Sequence, residues 1–161
     1  MAMRVLIIED QEKKSNDIID FLNIGFSIDS CVLRKSYRSG LKEIKKNIEY
    51  DLLVLDMSMP SFDPSDEDPT GGRPESFAGK KILEYMKIRK INIPALVISQ
   101  YSKFDDGSIT LENLDSDLKS SFPSIYIGTI YYTSAASVWK SELGKLITHL
   151  LEIKNDQNTN S

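Results

Sequence analysis

Four consecutive apolar residues, Leu52 to Leu55, stand between Asp51 and Asp56, and Pro60 follows shortly after. A run this short, bounded by an acid and then by proline, suits a strand buried on both faces, which belongs at the centre of a parallel sheet. Asp56 falls where that burial ends. In open α/β sheets ligands bind outside the carboxyl ends of the strands, so a carboxylate at this point is placed for chemistry.

A second run, Met3-Arg4-Val5-Leu6-Ile7-Ile8-Glu9-Asp10, ends in the same way, with two acids after the apolar residues. If the two strands are parallel neighbours, Glu9, Asp10 and Asp56 converge at one edge of the sheet. Three carboxylates so close raise one another's pKa unless a hard cation compensates, and Mg²⁺ prefers oxygen ligands of this kind. The residues therefore predict a divalent metal site.

The rest of the chain alternates helix and strand. Ile18, Phe21 and Leu22 give an apolar face to a first helix over 12–23, with the remaining positions read as charged. A second strand runs from Ser27 to Leu33. In the second helix Tyr37, Leu41, Ile44 and Ile48 are inward, and Lys42, Glu43, Lys45 and Lys46 read as a solvated face. A third helix spans 79–90 and a fourth strand Ile93 to Ser99, ending on a hydroxyl. Thr110 is the expected N-cap of a fourth helix. Ser124 to Tyr132 forms a fifth strand, and Trp139, Leu143, Leu146, Ile147, Leu150 and Leu151 line a final helix. Five such units predict a flavodoxin-like, doubly wound, five-stranded parallel sheet of order 2-1-3-4-5 with helices on both faces. It forms one domain over residues 1–154, and the polar tail 155–161 is expected to be disordered. Residues 61–78 interrupt the pattern as an acidic insertion carrying Pro64, Pro69, Pro74 and Gly71-Gly72, either a lid or partner loop or a mobile segment without chemical role.

Composition narrows the function. With 24 acids, 20 bases and a net charge of −4, the chain shows no basic stripe for a phosphate backbone, which disfavours direct nucleic-acid binding. No apolar run approaches membrane-spanning length and no signal peptide precedes the first strand, so a cytoplasmic location is expected. The single cysteine, Cys31, reads as a packed strand residue, His149 as a boundary position on the last helix, and Trp139 as a core anchor.

Taken together, Glu9-Asp10 after strand one, Asp56 in Asp-Met-Ser-Met-Pro after strand three, Ser99 after strand four and Gly79-Lys80-Lys81-Ile82-Leu83 opening helix three resemble the receiver domain of bacterial two-component response regulators. The resemblance implies that Asp56 accepts a phosphoryl group from a histidine kinase or phosphotransfer protein. It also implies Mg²⁺ held by Glu9, Asp10, Asp56 and the backbone carbonyl of Ser58, with Ser99 as the phosphoryl-sensing hydroxyl and Tyr126 as the switch aromatic. Output by such a protein is phosphorylation-biased binding to a downstream protein target, and the helix four to helix five face is where a homodimer would form. Catalysis would extend at most to self-dephosphorylation.

One element of the family pattern is missing. A lysine is expected at the end of strand five, yet no Lys occurs between Lys119 and Lys140; Thr129 stands at the equivalent position, and Lys103 or a partner's residue is the expected substitute. The alternative is a pseudo-receiver, an interaction module that phosphorylation does not control. A metal-dependent phosphoester hydrolase is a weaker one, because Asp56-Met57-Ser58 supplies no further acid.

Overall fold

The computed structural model describes residues 2–160. Strand β1 (Met3–Ile8), helix α1 (Glu12–Gly25), β2 (Ile28–Arg34), α2 (Tyr37–Lys45), β3 (Leu52–Leu55), α3 (Ala78–Arg89), β4 (Ala95–Ser99), α4 (Leu111–Ser121), β5 (Tyr126–Tyr131) and α5 (Val138–Thr159) follow in sequence. The five strands form one parallel sheet of order β2-β1-β3-β4-β5, the flavodoxin-like topology expected from the alternating pattern.

Period-two alternation divides the apolar residues between two cores. Leu6, Ile8, Leu53, Leu55, Ala95 and Val97 point toward α2, α3 and α4, where Ile44, Ile82, Leu83, Met86, Leu114 and Leu118 meet them. Val5, Ile7, Leu52, Val54, Leu96 and Ile98 point the other way, onto Ile18 and Leu22 of α1 and Trp139, Leu143 and Ile147 of α5. All four residues of β3 are buried, as its short apolar run predicts. Trp139 is a core anchor, with its ring edge-on to Phe21 and tilted against Tyr132.

Helix boundaries have local causes. Thr110 caps α4 by accepting a hydrogen bond from the Asn113 N–H at 3.1 Å, and Ser36 caps α2 in a reciprocal box with Ser39. Gly79 opens α3 hard against β3: a Cβ there would lie 2.5 Å from the Asp56 carbonyl oxygen, so a side chain at this position would push the helix off the strand.

Three segments differ from the sequence expectation. Residues 61–78 are not featureless: Met59–Pro60 pairs antiparallel with Pro74–Glu75, and the Phe62 N–H donates to the Gly71 carbonyl at 3.1 Å. Gly71 and Gly72 take positive φ where a Cβ would strike Pro60 or Phe62, and Ser39 Oγ donates to Asp63 Oδ1 at 2.8 Å, tying the insertion to the first turn of α2. A second small hairpin, Lys103–Phe104 with Ile109–Thr110, fills the connection after β4. The polar run from Asn155 continues α5 to Thr159 rather than ending the fold. Among the described residues no helix is long and apolar enough to cross a membrane.

Candidate functional site

Register brings the acids together. Ile8 lies opposite Leu55 in the β1–β3 ladder, so Glu9 and Asp56 leave the sheet side by side, and Leu55 opposite Val97 sets the end of β4 beside them. Glu9, Asp10 and Asp56 each present a carboxylate oxygen, all within 4.8 Å of one another. Glu9 and Asp56 are buried, whereas Asp10 opens to solvent and gives the cluster its entrance. The Asp56 Oδ1 accepts from the Met57 N–H at 2.7 Å, and Oδ2, fully buried, is met by an ammonium, that of Lys14, at 3.0 Å. Three carboxylates with oxygens this close offer the hard ligands that suit a small divalent cation such as Mg²⁺. Ser58 sits in the bend just after Asp56, ahead of the first small hairpin.

Ser99 closes β4 fully buried. Its hydroxyl is engaged within its own turn, accepting from the Tyr101 N–H at 3.0 Å and donating to the Tyr101 carbonyl at 3.1 Å. Tyr126 is not part of this edge. It lies at the opposite end of β5, opposite Ala95, and its hydroxyl donates to Asp115 of α4 at 2.5 Å and is bonded to Thr129. Thr129 stands opposite Val97, two positions short of the pair Ser99–Tyr131, so it does not mark the strand's carboxyl end.

The group that sequence reasoning missed is Lys14. Its side chain is completely buried, and its Nζ lies 2.5 Å from Glu9 Oε2 and 3.0 Å from Asp56 Oδ2. It donates to the Ile98 carbonyl at 2.6 Å and to Gln100 Oε1 at 2.9 Å. Lys103, the expected substitute for the absent strand-five lysine, is instead an exposed residue of the second small hairpin. The signal for Lys14 was present in its spacing: it precedes Ile18 by four residues and Leu22 by eight, on the inward stripe of α1.

Burial is the largest influence on Glu9 and raises its pKa; Lys14 offsets part of the effect, Asp56 adds to it, and the carboxyl is pushed up to about 8. Desolvation, followed by the charge of Asp56, also raises Asp10. Three acids thus share the neighbourhood of one ammonium.

The fold is that of response-regulator receiver domains. A solved example, the receiver domain of the Francisella response regulator 1452, superposes with a TM-score of 0.60 at 18% identity, covering 94% of this chain and 98% of that one. In sequence the chain is 25% identical over 150 residues to the Detocs response regulatory protein DtcB of Enterobacter cloacae, covering 92% of this chain and all of the relative. It is 26% identical over 145 residues to the uncharacterized protein y4jR of Sinorhizobium fredii, covering 88% and 94%. No family model matches.

Proposed function

We propose that this chain is a receiver-type signalling protein in which Asp56 accepts a phosphoryl group from a histidine kinase or phosphotransfer protein. The observation that carries the proposal is the placement of Asp56: a buried carboxylate at the carboxyl end of the central strand, with Glu9 and Asp10 within 4.8 Å. A relative covered over its whole length, 25% identical, is a response regulatory protein, which supports a signalling role.

The residues that would hold Mg²⁺ are Glu9, Asp10 and Asp56, with the Ser58 carbonyl. The ion would supply charge neutralisation for an in-line displacement. The protein's own part is to fix the nucleophile. The Met57 N–H holds Oδ1, the close approach of Gly79 seats the strand end, and burial among Glu9, Met57 and Lys14 keeps water from the carboxylate. Ser99, next to the site, would trade its bonds to Tyr101 for a phosphoryl oxygen and so move the segment after β4. Output then follows as a shift in the α4, β5 and α5 surface that a downstream partner, or a second copy, reads. There Tyr126, bonded to Asp115 and Thr129, ties β5 to α4.

Phos-tag electrophoresis with intact mass after incubation with Mg²⁺ and acetyl phosphate tests the proposal. The expected result is one adduct of about 80 Da in the wild type, absent in Asp56→Ala. An adduct that persists in Asp56→Ala, or none in the wild type from either acetyl phosphate or a kinase donor, rejects it. The competing reading, a pseudo-receiver that binds partners without phosphorylation, draws its support from Lys14, which already occupies oxygens of Glu9 and Asp56.

A further inference from the structure

We infer that Lys14 is the resident cation of the Asp56 pocket: its ammonium neutralises the carboxylate at rest and pairs with the phosphoryl oxygens once Asp56 carries them. The inference rests on Asp56 as phosphoacceptor and adds a residue, on an unexpected element, to the machinery of that transfer.

A lysine at this position is costly. Position 14 lies on the inward stripe of α1, where an apolar side chain would continue the row of Ile18 and Leu22 without desolvating a charge. A fully buried ammonium is tolerated only when its protons are satisfied, and this one faces four oxygens, from Glu9, Asp56, Ile98 and Gln100. Two of the four belong to the acid cluster. The other two come from the end of β4 and hold the ammonium independently of that cluster. Among the described residues no other Lys or Arg lies within 4.0 Å of Glu9, Asp10 or Asp56. The end of β5 offers Tyr131 and Tyr132, and the chain between Lys119 and Lys140 contains no cation at all.

Phosphoryl transfer adds negative charge beside this ammonium. An Asp56 oxygen attacks phosphorus, a new O–P bond forms, and the P–O bond of acetyl phosphate or the P–N bond of a phosphohistidine breaks, with its electron pair leaving on the donor. One negative charge on the carboxylate is exchanged for about two on the phosphoryl group. The ammonium keeps its three protons throughout. Ile98 and Gln100 retain it while its ion pair with Oδ2 gives way to one with a phosphoryl oxygen, the kind of pre-placed charge that is most effective in a water-excluded site.

The test compares wild type, Lys14→Met and Lys14→Arg in two assays. One is the rate of Asp56 labelling by Mg²⁺ and acetyl phosphate; the other is Mg²⁺ affinity by calorimetry. Lys14→Met is expected to label at least about tenfold more slowly while binding Mg²⁺ as tightly as wild type or more so, and Lys14→Arg to recover part of the rate. Should Lys14→Met prove too unstable, the wild type decides alone. The buried ammonium's ¹⁵N resonance should shift when beryllofluoride with Mg²⁺ is added, beyond the change Mg²⁺ produces by itself. Labelling of Lys14→Met at the wild-type rate, or an ammonium resonance indifferent to beryllofluoride, overturns the inference and leaves the Asp56 reading intact. A wild type that takes no phosphoryl group from any donor removes the Asp56 reading, and this inference with it.

Discussion

Two buried acidic sites are built from the same kinds of residue with opposite charge ratios. On α2, Glu43 receives the Tyr50 hydroxyl at 2.6 Å, Arg34 at 2.9 Å and Lys46 at 2.9 Å, two cations and a phenol around one acid. At the carboxyl edge, one cation, Lys14, serves Glu9 and Asp56, with Asp10 nearby. The pKa values separate accordingly. Burial pushes both acids up, but the donors around Glu43 more than offset it and hold the carboxyl at about 2, whereas Glu9 rises to about 8. A carboxylate surrounded by donors is finished structure. A carboxylate cluster short of positive charge can still bind something, and that shortage distinguishes the site from the staple.

Of the two sites, the Glu43 network is the more sensitive to substitution. Glu43→Ala leaves Arg34, Lys46 and the Tyr50 hydroxyl without their acceptor and should cost about 3 kcal/mol in denaturant unfolding; a loss under about 1 kcal/mol would show the network to be incidental. Acid acts on the same network. Because the folded pKa of Glu43 lies below its unfolded value near 4.5, its contribution is complete above that value and lost as pH falls toward about 2. Stability measured across this window should therefore drop by roughly 2 kcal/mol more in the wild type than in Glu43→Gln, and parallel curves would contradict the assignment. The smallest effect has the opposite sign. Asp56→Asn leaves Lys14 and Glu9 as a one-to-one pair and should raise stability by about 1 kcal/mol in thermal or chemical unfolding, where destabilisation would mean the site is not short of positive charge.

Much of this was legible in the chain and some of it was not, for identifiable reasons. Strand-end acids announce themselves because Leu52–Leu55 and Val5–Ile8 are continuous apolar runs with carboxylates at one end, and parallel registration does the rest. Lys14 and Glu43 were lost in charged helix faces. Each occupies an inward position, Lys14 in line with Ile18 and Leu22 and Glu43 beside Ile44, yet a charged residue there is far more often solvated, and only its partners reveal the exception. Strand five was harder still, because its aromatic and β-branched residues fit several registers. Tyr126 and Thr129 consequently belong to the α4 side of the strand and not to its carboxyl end. The small hairpins use strands of two residues each, too short for any periodicity to register.

Trp139, the only tryptophan of the chain, touches Phe21 on α1 and Tyr132 just beyond β5, and the Tyr132 hydroxyl in turn donates to Asp17, one turn along α1 from Lys14. The single indole is therefore coupled by packing to the helix that carries the buried ammonium. A displacement of that helix changes the ring environment of the one fluorophore that absorbs above the tyrosines, so the protein carries a built-in optical gauge of its own pocket, without any label.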